Sequence, residues 1–152
     1  MIEIMVAISV ILILMAMAVI GYRYLDRSAS EKATHVALSN AQAMISEYEA
    51  ANGPGSINDI TGANTTTVMT RLVAIPKNKD AIANLPTKMV KAGSNPPVLL
   101  DGWGNPIVYV PKTGLTSGGK TITHPEGRPF WASPGPDGDI NTPDDNIYSF
   151  EK

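Results

Sequence analysis

From Ile4 to Ile20 the chain reads IMVAISVILILMAMAVI, 17 residues without a charge and with Ser9 as the one polar position. A run that is apolar on every side cannot be a surface helix of a soluble domain, which keeps a polar face. Its length lies at the lower edge of what spans a bilayer's hydrocarbon core. The run therefore predicts a helix buried in a membrane or in a bundle of like helices. Ala16-Met17-Ala18 has the small-residue character of a signal-peptide cleavage site. However, Glu3 stands where such a signal carries Lys or Arg, so the segment reads as retained.

Helical patterning continues past the apolar run. No Gly or Pro occurs from Tyr22 to Ala51. Ala33, Ala37, Ala41, Ile45 and Tyr48 recur at helical spacing, widened by Val36, Met44 and Ala51. Arg27, Glu31, Lys32, Glu47 and Glu49 supply the wet side. Asn52-Gly53-Pro54 is a strong stop. The expectation is one helix of about 50 residues, on the order of 75 Å long. It divides into an apolar membrane or filament-core segment over 1–21 and an amphipathic continuation over 22–52.

Residues 53–152 read as a loop-rich α/β head. Thr65–Ala74 predicts a short helix capped by Thr65 or a neighbour. Val98–Leu100, Ile107–Val110, Arg128–Ala132 and Ile147–Phe150 are short apolar or β-branched runs bounded by Gly, Pro, Asn and Asp, as expected of short antiparallel strands. The fold class is α+β, a long N-terminal helix packed on a small antiparallel sheet. Trp103 and Trp131, beside or within strands, are expected as core anchors.

Composition sharpens this picture in three ways. Of 25 Gly and Pro residues in the 152-residue chain, 24 lie after Asn52, so rod and head are compositionally separate. A formal net charge of −2 is near neutral, which argues against nucleic acid as an obligatory partner, since affinity for phosphates comes mainly from basic surface. The absence of cysteine removes disulfides, thiol nucleophiles and cysteine-ligated metals.

The acidic residues are unevenly placed. Residues 53–100 carry five positive and two negative charges, whereas 101–152 carry four and seven. Asp137, Asp139, Asn141, Asp144, Asp145 and Asn146 crowd one Gly/Pro-rich loop, where like charges repel unless a cation joins them. Hard oxygen donors on a turn-rich loop suit Ca²⁺. The loop is not an EF-hand: counted from Asp137, position six is Thr142 rather than Gly and position twelve is Tyr148 rather than Glu. It offers none of the His or Cys that zinc prefers.

Gly114, Gly119, Lys120 and Thr121 match the phosphate-loop spacing. That loop must open a helix, whereas Ile122-Thr123-His124-Pro125 is β-branched and then broken, so a hairpin turn is expected. Ser133 has no neighbouring His and Asp of a nucleophile elbow. His35 and His124 lack metal-ligand spacing, and Asn64-Thr65-Thr66 is too short a glycosylation pattern to carry weight. Glu3 is different: a carboxylate opening an apolar helix is costly in lipid. It lies near the interface or pairs with another chain's amine.

Ile2-Glu3-Ile4-Met5-Val6 followed by an apolar run resembles the N-terminus of type IV pilins and type II secretion pseudopilins, whose leader is cut before a Phe-Thr-Leu-Ile-Glu pattern. Asp101-Gly102-Trp103-Gly104-Asn105-Pro106-Ile107-Val108-Tyr109 is similar to the strand entry of major pseudopilins. Pro136-Asp137-Gly138 with Thr142-Pro143-Asp144-Asp145 is similar to their calcium loop. The likeness covers both ends of the chain, and only loosely residues 54–97. It implies a pilin-like fold with Ca²⁺ side-chain ligands at Asp137, Asp144 and Asn146. Asp145 adjoins them and Asp139 is an additional acid. It further implies that Trp103 and Pro106 order the strand entry. Asn141 replaces the family's frequent Gly, Leu12 and Ile20 stand where helix breakers are common, and the chain opens two positions short of the processed N-terminus. An incomplete sequence and a differently assigned start both accommodate the last departure. By the positive-inside rule Arg23, Arg27 and Lys32 place the C-terminal side in the cytoplasm, an orientation the family's basic leader overrides.

The resemblance implies a structural filament subunit rather than an enzyme. It would sit in the bacterial inner membrane before assembly and polymerise into a periplasmic or extracellular homo-oligomeric helical filament for type II protein secretion. Its partners would be the prepilin peptidase and the secretion or pilus assembly machinery, with Glu3 guiding docking. A surface type IV pilus for adhesion, motility or DNA uptake, and a non-polymerising membrane-anchored calcium module, are the alternatives.

Overall fold

A computed structural model of the chain describes residues 2–60 and 64–151, with side chains from Ile4 onward. One helix, α1, runs unbroken over Ile2–Asn52, 51 residues. It ends as the stop signal requires: Gly53 takes a positive φ of 104°, and its N–H bonds to the Glu49 carbonyl. A 3₁₀ turn over Ser56–Asp59 leads to α2 (Thr65–Val73) and α3 (Pro76–Ala83). A second 3₁₀ turn at Thr87–Met89 precedes the strands.

The strands are short. β1 (Val108–Val110), β4 (Phe130–Ser133) and β5 (Ile147–Tyr148) form one antiparallel sheet in the order β1-β4-β5. Its register pairs Tyr109 with Trp131 and Ala132 with Tyr148. β2 (Leu115–Ser117) and β3 (Lys120–Ile122) form a separate hairpin across Gly118-Gly119. Lys120 thus opens a strand, so the phosphate-loop spacing at Gly114–Thr121 belongs to a hairpin turn. The α+β layout expected from the sequence is observed.

Two apolar clusters build the head. Ala37, Leu38, Ala41, Met44 and Ile45 of α1 bury against Val68, Met69 and Leu72 of α2, Ile107, Tyr109 and Trp131. Phe130, Tyr148, Val110 and Ala132 form the second cluster, with Phe150, Leu115 and Ile122 at its edge. Trp131 is fully buried and meets Tyr109 edge-on at 5.5 Å between ring centroids. Trp103 departs from its expected role: it is only half-buried, because the Gly102–Gly104 turn carries it to the rim of a cleft.

The helix seam is also shifted from the expected stripe. Val36 and Ala51 are exposed, whereas Thr34 and Leu38 are buried. A seam through 34, 37/38, 41, 44/45 and 48 follows the 3.5-residue spacing of two packed surfaces, which leaves Val36 on the far side. α2 is capped by Asn64, whose Oδ1 accepts the Thr67 N–H at 2.9 Å. Val98–Leu100 forms only single bridges, Val90 to Leu99 and Leu100 to Pro106, since Pro96, Pro97 and Pro106 lack the N–H a ladder needs. For the same reason β4 begins after Pro129. β5 stops at Tyr148 because Glu151 N–H turns back to the Tyr148 carbonyl.

Helix α3 has no counterpart in the sequence expectation, because PKNKDAIA lacks an apolar stripe. Pro at its start and a buried asparagine hold it: Asn78 Nδ2 donates to the Met44 carbonyl at 3.0 Å and to the Leu72 carbonyl at 3.1 Å. Lys77 pairs with Glu47 outside.

Replacing Leu38 with Ala should cost about 2–5 kcal/mol, as for other buried large-to-small changes. Val36→Ala should change stability by less than about 0.5 kcal/mol. Urea titration of the detergent-solubilised chain, followed by tryptophan fluorescence, separates the two. Burial, with Glu49 adding to it, pushes the Tyr109 hydroxyl up from 10.0 to about 12, and burial also raises Tyr148. Between these values the unfolded chain has lost a proton that the folded chain keeps. Stability should therefore be intact below pH 10 and fall as pH rises towards 12. Tyr109→Phe should flatten that decline in an alkaline denaturation series.

Candidate functional site: an acidic loop clamped to the helix

The Asp101–Pro106 turn is built around a buried carboxylate. Asp101 is 2% exposed. Its Oδ1 accepts the N–H groups of Trp103 at 2.9 Å and Asn105 at 2.8 Å, and its Oδ2 accepts the Ser133 hydroxyl at 2.7 Å. Three donors replace the water that a buried carboxylate loses. Ser133 is sealed from solvent, with its proton committed to Asp101.

From this hub the bonds run in two directions. Towards the rod, Gly102 N–H donates to Thr34 Oγ1 at 2.9 Å, and that hydroxyl donates to the Ser30 carbonyl at 2.9 Å. A Cβ on Gly102 would lie 2.0 Å from the Ser30 carbonyl oxygen, so only glycine allows this approach. Towards the acidic loop, Ser133 Oγ accepts the Gly135 N–H at 3.0 Å, and Asn105 Nδ2 donates to the Gly135 carbonyl at 2.8 Å. Gly135, at φ 70°, is where the loop closes: a Cβ there would sit 2.0 Å from the Asp145 carbonyl oxygen.

The loop between these points is a chain of turns. Gly138 N–H bonds to the Gly135 carbonyl, Thr142 to Asp139, and Asp145 to Thr142. Asp137 Oδ1 accepts the Asp139 N–H at 2.9 Å, and its Oδ2 accepts the Thr142 hydroxyl. That hydroxyl, followed by the Asp139 N–H, holds the Asp137 carboxyl below its usual range. Asp139 Oδ1 likewise caps Asn141, accepting from its backbone N–H and from its amide at 2.9 Å each.

The five acidic-loop residues singled out from sequence thus separate into two sets. Asp137 and Asp139 are exposed and engaged in local turn bonds. Asp144, Asp145 and Asn146 line an open cleft of about 550 Å³, together with Pro136, Trp103 and the Arg27, Glu31 and His35 face of α1. Among the described residues no three His, Cys, Asp or Glu side chains converge as a metal cage. One buried side-chain oxygen in the loop lacks a hydrogen-bond partner. Asn146 is 7% exposed; its Nδ2 donates to the Ile140 carbonyl at 2.9 Å and to Ser117 Oγ at 3.3 Å, while its Oδ1 receives no hydrogen bond. A buried carbonyl oxygen that follows two Asp residues in sequence is a donor of the type a hard cation takes. The Glu3 side chain lies outside the described residues.

In sequence, Asp101 and Gly102 stand out only as part of the Asp-Gly-Trp-Gly-Asn-Pro motif, and Thr34 and Ser133 lie outside it. A local signal exists: Asp followed by Gly and Asn is the composition of a side-chain-capped turn. The partners at Thr34 and Ser133 have no local signal.

Asp101→Ala should destabilise the head by about 3 kcal/mol, since it strands the buried Ser133 hydroxyl and two part-buried N–H groups. Ser133→Ala should cost about 1 kcal/mol. Gly102→Ala should approach the Asp101→Ala effect despite its small size, because the clash is with backbone. Denaturant midpoints of the three variants test this order, and a silent Gly102→Ala would overturn the close approach to Ser30.

No protein-family model, no curated protein and no solved structure matches this chain.

Proposed function

We propose that the chain is a structural, non-enzymatic subunit that polymerises into a helical filament of the pseudopilin or type IV pilin class, serving type II protein secretion. The observation that carries this reading is the rod. Every residue of α1 from Ile4 to Arg27 is exposed, while the same unbroken helix is the core element of the head from Thr34 to Ile45. The helix is long and apolar enough to cross a membrane, with a mean hydropathy of 2.9 over its most apolar window. A half-helix this apolar needs cover along its whole circumference. Lipid supplies it before assembly, and a bundle of identical helices after.

In this reading the inner membrane holds the subunit until the prepilin peptidase and assembly machinery deliver it to the filament. Glu3 pairs with a neighbouring chain's amine during docking, as an unpaired carboxylate in so dry a setting is strongly unfavourable. Asn146, Asp144 and Asp145, with Asp137 and Asp139 on the same loop, hold Ca²⁺. The ion would offset their mutual repulsion, fixing the loop where a cysteine-free head has no disulfide. The free Asn146 oxygen supports that assignment.

Electron microscopy of the purified chain decides the class. Filaments are expected, and Glu3→Ala should reduce them while leaving the head folded; a chain that never polymerises is instead a membrane-anchored module. Secretion loss against loss of adhesion, motility or DNA uptake in a deletion strain separates the pseudopilus from a surface pilus. Calcium at a hundredfold excess over its Kd should add about 2.7 kcal/mol, on the order of 10 °C in a head of this size. Chelator should remove that gain, and Asn146→Ala should make the melting temperature insensitive to calcium. Equal melting with and without chelator removes the metal from the proposal.

A further inference from the structure

Directly after the apolar run, the helix carries Tyr22, Arg23, Tyr24, Leu25, Asp26 and Arg27. Tyr22, Tyr24 and Leu25 are 71, 75 and 68% exposed. Successive helical residues project about 100° apart, so Tyr22, Arg23, Tyr24 and Leu25 face four quarters and make a closed collar. A protein that docks on a helix covers one face. A lipid headgroup layer surrounds it on all sides, and the collar's composition suits that layer: tyrosines with an apolar ring and a wet hydroxyl, and arginines whose stems lie along acyl chains. Position agrees as well. From Ile4 to Tyr22 the helix rises about 27 Å, close to the roughly 30 Å of a hydrocarbon core.

The charge selects the headgroup. Arg23 and Arg27 lie one turn apart on one side, and Asp26 leaves the collar with one net positive charge. Neither arginine is in an ion pair among the described residues. Arg27 also borders the acidic cleft, with Glu31, Asp144 and Asp145 nearby, so Arg23 is the arginine left to face outward. We infer that residues 22–27 form an interfacial collar that seats the rod in the headgroup layer and gathers anionic phospholipids, with the Arg23 guanidinium on a lipid phosphate. The inference rests on residues 4–20 spanning the bilayer and is independent of polymerisation.

The absence of cysteine allows a single label on the full chain, introduced by Leu12→Cys or Leu25→Cys. The labelled chains are reconstituted at high lipid-to-protein ratio in phosphatidylcholine vesicles with and without phosphatidylglycerol. A nitroxide at position 12 should report hydrocarbon depth and one at position 25 headgroup depth. Energy transfer from a fluorophore at position 25 to labelled lipids should show phosphatidylglycerol enriched about fivefold over phosphatidylcholine, as one net positive charge near a surface provides. Arg23→Gln should abolish the preference and Arg23→Lys retain most of it. Equal transfer to both lipids, or an unchanged preference in Arg23→Gln, overturns the collar while the spanning helix stands. Spin–spin broadening at position 25 overturns it in favour of a second copy of the chain. A water-exposed label at position 12 overturns the span and the collar together.

Discussion

The structure depends on one constraint: a single rigid helix must satisfy two different environments. Its upper half lends the seam from Thr34 to Ile45 to the head. α2, α3, β4, β5 and the first 3₁₀ turn all reach it. Strands of two to four residues form too small a sheet to be stable alone, so the head exists because the rod closes its core. The lower half receives nothing in return. Its apolar surface is a demand on the surroundings, made at fixed distance and direction from the head because no break interrupts the helix.

A buried carboxylate held by hydrogen bonds is the second organising element. Asp101 is acceptable in the interior because two backbone N–H groups of its own turn and a hydroxyl from a distant strand replace its hydration. Trp103 and Asn105 are neighbours in sequence, whereas Ser133 closes a separation of 32 residues. Through Gly102 and Gly135 the same hub brings backbone against backbone at both ends, on the rod and on the acidic loop. The loop's position relative to α1 is thereby tied to this hub by hydrogen bonds.

Local signals and long-range partners differ in how much of this was readable from sequence. The rod was legible throughout, since an apolar run, an uninterrupted periodicity and Asn52-Gly53-Pro54 all act within a few residues. The α+β layout, the hairpin at Gly118-Gly119 and three of the four strand positions were legible to within a few residues. Helix α3 was not, because its hold on the fold is Asn78 reaching carbonyls of α1 and α2 rather than a stripe. Val98–Leu100 read as a strand on composition, but prolines on both sides deny it a ladder. The acidic loop was visible as a composition. Its division into turn-bonded Asp137 and Asp139 and cleft-facing Asp144, Asp145 and Asn146 was not, because it follows from Thr142 and Asn141 competing for the first two carboxylates.

The hydrogen bond from Ser149 Oγ to Gln42 Oε1 spans 107 residues, and β5, at 147–148, packs on the same helix. During synthesis the rod emerges well before β4 and β5, which complete the cover of its upper seam. Long-range closure of this kind is slow to pay for its loop entropy, so the head cannot complete its core until β5 has emerged. The apolar half faces no such delay. Formation of the rod and closure of the head's core are thereby separated in time by the order of the chain itself.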